Sequence, residues 1–307
     1  MDFPLLAEQT LNGIQLGILL FLLAAGLTLV FGIMDFVNLA HGSFYMLGAF
    51  FFATFFNLTN SFVLSIFSGL FATLLLGILT DIFGLRNLYS RNHLDQVLAT
   101  FGLILFFNQL VQVVWPLDGL AIAMPPHLDG LINIGLGIEY PIYRLVIIGS
   151  GLFVALSLYL MVTHTRLGML IRAGASNRTM LGALGVNVKL LFSYVFGLGA
   201  ALAGLAGMLV TPIISATSGM GEQILILAFV VIVIGGIGSI RGAFIAAIIV
   251  GMIDTLGRSF LDVILLVFLP VNAAEAGGPA LSSMLIYILM ATVLFFRPEG
   301  LFPQQKR

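Results

Sequence analysis

"FVNLAHGSFYMLGAFFFATFFNLTNSFVLSIFSGLFATLLLGILT", Phe36 to Thr80, runs for 45 residues without an Asp, Glu, Lys or Arg. About 20 apolar residues in a helix cross roughly 30 Å of hydrocarbon, so this stretch is long enough to cross twice and must fold back. Its densest polar cluster, Asn57 to Ser61 ("NLTNS"), is where it turns. Spans near 39–56 and 62–82 follow. Outward from it, residues 9–34, 96–117, 145–165, 190–221 and 276–296 are also free of charge. The 307-residue chain is 60% hydrophobic and 8% charged, where a soluble domain carries about 25% charge. The expected fold is an all-α, polytopic integral membrane protein, with a single transmembrane domain over 1–307.

Further spans fall near 11–32, 96–114, 142–162, 190–212 and 280–296. Residues 222–269 read as two helices meeting at a Gly-rich break, 235–242 ("GGIGSIRG"). The first of them is short enough to end inside the membrane, which requires shielding by protein or a water-filled cavity. The count is eight to nine. Alternating these spans places the 83–95 loop, the 163–189 loop, Arg241 and the tail on one side, with ten of the twelve Lys and Arg residues. By the positive-inside rule that side is cytoplasmic, which puts the C-terminus in the cytoplasm and the N-terminus outside. The first basic residue is Arg86, so no positive region precedes the first apolar stretch and no signal peptide is expected.

Composition also excludes chemistries. There is no cysteine, and the four histidines form no HExxH. No carboxylate cluster or GxSxG is present, so no metal site, no catalytic residues and no nucleic-acid partner are expected. A P-loop needs Gly-Lys before Ser or Thr. The two lysines, Lys189 and Lys306, follow Val188 and Gln305. The chain therefore carries no cofactor of its own, and any ATP and Mg belong to another polypeptide.

Small residues recur every fourth position at Gly199, Ala203 and Gly207, and again at Gly235, Ser239, Ala243, Ala247 and Gly251. Such lines let helix backbones approach closely, as generic packing or as a sliding surface. Asp254, Arg258 and Asp262 share one helical face and can neutralise one another. Asn12 and Gln15 on the first span, and Asn38 and His41 at the start of the second, are candidates for lining a pathway; hydrogen-bonded packing is the alternative. No mid-membrane carboxylate suited to ion coupling stands out.

The 163–189 loop holds Arg166, Arg172, Arg178 and Lys189 and no acid. Within it Ser176 is placed to cap a short helix through its hydroxyl, and Gly185 to end it in the left-handed conformation. Met180, Leu181 and Leu184 would form its apolar face, with Asn177 and Arg178 opposite and Thr179 between. Such a helix either docks into a groove on a soluble partner or simply rests at the headgroups.

Four blocks carry a resemblance: residues 11–50, including Asn38, Ala40, His41 and Gly42 as "N-x-AHG"; "TRLGMLIRAGASNRTMLGALGVNV" (165–188); "GGIGSIRGAF" (235–244); and "RPEGLF" (297–302). In this order and spacing the chain resembles the branched-chain amino acid permeases of ABC importers, nearest the Liv-type subunits. The resemblance implies a second homologous permease, two cytoplasmic ABC ATPases and a periplasmic substrate-binding protein as partners. It also makes Ser176–Gly185 the coupling helix that rests on the ATPase. Relatives often carry an acidic residue where this chain has Thr179. The implied cargo is a branched-chain amino acid, urea, a short amide or an aromatic acid. A self-sufficient secondary transporter or channel, or a membrane scaffold, are the other readings.

Overall fold

A computed structural model describes residues 3–135, 137–267 and 270–302, apart from the side chains of residues 275 and 276. Lys306 and Arg307, two of the basic residues assigned to the cytoplasmic side, lie outside the described residues. Helices α1 (Phe3–Met34), α2 (His41–Thr59), α3 (Phe62–Thr80), α4 (His93–Val114) and α5 (Ile142–His164) are followed by two short ones, α6 (Arg166–Ser176) and α7 (Arg178–Ala183). Then come α8 (Val188–Val210), α9 (Met220–Gly235), α10 (Ile240–Leu265) and α11 (Val271–Phe296). Past Thr80, α3 continues through a π-helical turn, Asp81–Leu85, and a 3-10 turn, Arg86–Leu88. Among the described residues eight helices are long and apolar enough to span a bilayer. α9, at 16 residues, is about 24 Å long and falls short of the full thickness.

Local chemistry sets the ends. Asn60 adopts the left-handed conformation (φ 51°) and closes α2, and the Ser61 hydroxyl accepts the Leu64 N–H to open α3. Asn92 caps α4 through the Asp95 N–H at 2.8 Å. The long connection after α4 is not purely irregular. It holds an antiparallel hairpin, β1 (Leu131–Gly135) with β2 (Ile138–Pro141), a small β element that the all-helical expectation did not include. α1 also begins at Phe3, eight residues before the expected span.

α1 runs through the centre, packed against α10, α8, α5 and α9; α2 lies on α8 and α3. α1 and α8 are buried over most of their length, whereas α3, α4, α5 and α11 leave large apolar side chains such as Phe67, Phe71 and Phe153 exposed. Those faces meet lipid or other subunits, because lipid tails are as apolar as the side chains and drive nothing inward. The inner helices touch through small residues. A Cβ on Gly48 would stand 2.3 Å from the Gly204 Cα, so only hydrogen fits where α2 crosses α8. The line Gly199–Ala203–Gly207 is thus a packing surface: Gly199 meets Gly26 of α1, and Gly207 meets the Tyr45 carbonyl of α2.

The second small-residue line is interrupted. Gly235 ends α9 and Ser239 caps α10 through the Gly242 N–H, with Gly236 (φ 100°) and Gly238 (φ 83°) between them. The residues that follow in α10 meet α1 closely: a Cβ on Gly17 would lie 2.8 Å from the Ala247 carbonyl oxygen. The Asp254–Arg258–Asp262 stripe is half formed. Arg258 Nε donates to Asp254 at 2.8 Å, while the Asp262 carboxylate accepts the neighbouring Val263 N–H at 2.8 Å.

The bundle has two distinct ends. At one, the Arg86 turn, α6, α7, the α9–α10 break and residues 297–302 gather, and this is the basic end. The other carries the hairpin, and there Trp115 Nε1 donates to Thr54 at 2.8 Å and Leu120 pairs with Ala216.

Candidate functional site

At the basic end three N-caps follow in quick succession. Thr165 accepts the Gly168 N–H at 3.1 Å to start α6, Asn177 accepts the Met180 N–H at 2.9 Å to start α7, and Asn187 accepts the Leu190 N–H at 3.1 Å to start α8. The cap of the short helix is therefore Asn177. Ser176, expected in that role, is the last residue of α6. Gly185 has φ 85° and ends the segment as expected. The apolar face is divided rather than continuous. Leu181 is 4% exposed and converges with Ile33 of α1 and Leu191 of α8 around Gly174, while Met180 (64%) and Leu184 (75%) stand in the open with Arg178 and Thr179. Leu181 is an anchor; Met180 and Leu184 form a knob.

Beside this segment lies a buried ionic relay. Asp81 is fully buried, and the Ser193 hydroxyl donates to its Oδ2 at 2.5 Å. Arg86 Nη2 donates to the same hydroxyl oxygen at 2.7 Å. The wide turn after α3 places Asp81 and Arg86 on either side of Ser193, one turn into α8. The relay thus ties the first turns of α8 to the end of α3.

The four pathway candidates separate into pairs. Asn12 is at the hairpin end, where its Oδ1 accepts from Arg144 and from the Tyr140 hydroxyl at 3.1 Å. Burial pushes the Tyr140 phenol above its ordinary pKa, against the pull of the Arg144 guanidinium. Gln15 is buried one turn further along α1. His41 and Asn38 sit deep in the bundle. His41 Nε2 lies 3.2 Å from the Leu23 carbonyl, which only accepts, so Nε2 carries the proton. Asn38 is fully buried, and neither its amide nitrogen nor its oxygen has a partner among the described residues. A buried amide left unmatched costs on the order of 1–3 kcal/mol, so this position is strained in polarity rather than in shape.

A further polar strip was missed from the sequence. Glu222, in the first turn of α9, accepts a hydrogen bond from Asn108 of α4, and Gln112 Nε2 donates to Ser218 at 3.1 Å. Glu222 and Gln112 are exposed. The sequence signal was Glu222 itself, which lies between two apolar runs and reads as a loop end unless the chain before it folds inward. Among the described residues, no group of three or more His, Cys, Asp or Glu is placed to hold a metal.

This bundle, with its short broken helix and capped basic segment, matches one family over almost its entire length. Residues 9–294 fit the family described as branched-chain amino acid transport system / permease component. The chain belongs to that permease family. It is 29% identical to the high-affinity branched-chain amino acid transport system permease protein BraD of Pseudomonas aeruginosa, over 96% of this chain and 94% of BraD. With the corresponding permease LivH of Escherichia coli K12 it shares 28% identity over 85% of this chain and 89% of LivH. The probable LivH of Methanocaldococcus jannaschii is 28% identical over 48% of this chain and 44% of its own length. No solved structure matches the permease.

Proposed function

We propose that this permease is one of two membrane-spanning subunits of an ATP-driven ABC importer of branched-chain amino acids or related small polar solutes. One observation carries the reading. α7 is fastened to the bundle by Leu181 yet offers Met180 and Leu184 outward from the basic end, in a family whose named members are transport-system permeases. In this reading the basic end is cytoplasmic and the N-terminus is outside. Two ATPases carry ATP and Mg, and each permease knob inserts into one of them. A second permease completes the conduit, and a binding protein delivers solute at the hairpin end. ATP binding favours one of two arrangements of the pair, and Leu181 and the Asp81–Ser193–Arg86 relay pass that preference into the helices.

The test is Met180→Glu combined with Leu184→Glu, purified in mild detergent with the native partners. The pair leaves Leu181 and the Asn177 cap in place, so the permease is expected to accumulate normally while the ATPase no longer copurifies and uptake is lost. Retention of the ATPase with undiminished uptake would remove the docking role. A self-powered carrier is the competing reading, and Glu222, an exposed carboxylate at membrane depth, is what favours it. Solute movement in liposomes by the permease alone, without nucleotide, would decide for the carrier.

A further inference from the structure

The depth of Glu222 can be read from two neighbours. Asn108, its hydrogen-bond partner, lies six residues before the end of α4, about 9 Å along the axis. Gly221 packs backbone to backbone on Gly42, and Gly42 is twelve residues, about 18 Å along α2, from Thr54. Thr54 holds Trp115, an indole of the kind that marks the membrane–water boundary. Glu222 therefore sits roughly 10 Å or more below that boundary.

A carboxylate at this depth costs several kcal/mol against acyl chains, so it faces water or protein. Its own chain supplies Asn108 and leaves the rest of the group open. The strip is also continuous: Gln112 and Ser218 lead from the boundary level down to Asn108 and Glu222. A dry contact between subunits has no need of polarity running to the surface, whereas a water-filled path does. Among the described residues no basic side chain bonds Glu222, so the acceptor stands ready for a cation from outside the chain.

We infer that the strip Gln112–Ser218–Asn108–Glu222 is the wall of the outer part of the solute conduit, and that Glu222 receives the ammonium group of an amino-acid solute. This rests on the transport reading above and narrows the cargo to solutes bearing an amino group, over neutral amides or urea. Asn108 holds the carboxylate in place, and the rigid Gly42–Gly221 contact keeps the floor of the site from yielding.

The absence of cysteine makes the test clean. Gln112→Cys and Ser218→Cys, with Phe71→Cys and Phe153→Cys as controls on the exposed faces of α3 and α5, are made in the assembled transporter in whole cells. They are treated with membrane-impermeant thiosulfonates, one cationic and one anionic. Residues 112 and 218 are expected to label and 71 and 153 to remain unlabelled. The cationic reagent should react faster at residue 112, which lies one turn, about 6 Å, along α4 from the partner of Glu222. Glu222→Gln should lower the cation-to-anion rate ratio roughly tenfold, as expected for one charge at that spacing in a wet site. Glu222→Asp should keep the ratio and the uptake of amino acids. If Glu222→Gln does not assemble, Ser218→Lys replaces it and is expected to lower the ratio by adding a positive charge beside residue 112. Silence at 112 and 218, equal labelling of the controls, or a ratio indifferent to these charges overturns the proposal. The labelling rates and their ratio require no ATP, so they stand apart from the copurification and uptake that test the importer reading.

Discussion

Ser193→Ala removes one oxygen and isolates the most deeply buried carboxylate at the basic end. Asp81 is fully buried, its Oδ1 has no partner among the described residues, and Ser193 supplies the hydrogen bond to Oδ2 at 2.5 Å. A hydrogen bond to a charged group contributes about 1.5–3 kcal/mol, and stranding a buried charge raises the cost toward the upper end. The hydroxyl also separates Asp81 from Arg86, whose Nη2 it accepts at 2.7 Å, so its loss breaks both halves of the relay. The expected destabilisation is about 2–3 kcal/mol. The measurement is reversible unfolding in mixed micelles, run as a cycle with Asp81→Asn, whose neutral amide tolerates the missing donor better. A coupling of about 1.5 kcal/mol or more between the two substitutions is expected. A Ser193→Ala protein within about 0.5 kcal/mol of the parent would show that the relay contributes nothing, and that α8 is not tied to α3 in this way.

Three further substitutions probe separate features. Asn177→Ala removes the cap of α7 and is expected to cost about 1 kcal/mol locally, read as faster amide exchange over residues 178–183 with global unfolding unchanged. Gly48→Val drives a branched side chain into the Gly204 backbone; it should lower the thermal midpoint and the yield of assembled permease, and a normal midpoint would refute the tight crossing of α2 and α8. Gly236→Ala places a Cβ 2.8 Å from the Phe302 carbonyl oxygen at a φ of 100°, and proteolysis of residues 297–302 should become faster as the tail is pushed away.

The spans were legible because the signal is crude: a helix in hydrocarbon cannot carry many charges, and the chain obeys this over long runs. The turn at Asn60, the stop at Trp115 and the Gly236–Gly238 break were equally open to reading, since each is a local property of the backbone. The site was less so. Ser176 and Asn177 are both good caps, and only the observed turn shows that Asn177 accepts the Met180 N–H. Met180, Leu181 and Leu184 are alike in hydropathy; the cavity beside Ile33 and Leu191 decides which one goes in, and those residues are more than a hundred positions apart along the chain. Glu222 was hidden for the same reason. Nothing in a linear pattern reports that the chain before α9 folds inward and carries a charge below the boundary.

The tail has a bearing on how the protein is made. Leu301 N–H bonds the Ile234 carbonyl at 2.8 Å and Phe302 N–H the Gly235 carbonyl at 3.1 Å, so residues from the far end of the chain complete the last turn of α9. During synthesis α9 and α10 leave the ribosome well before these partners exist. Until α11 has been inserted, the elbow between them holds open acceptors that water or the insertion machinery must cover. The segment after α11 thus acts as a latch on α9, and quality control that senses a loose elbow would be reading whether residues 301 and 302 have been made and docked.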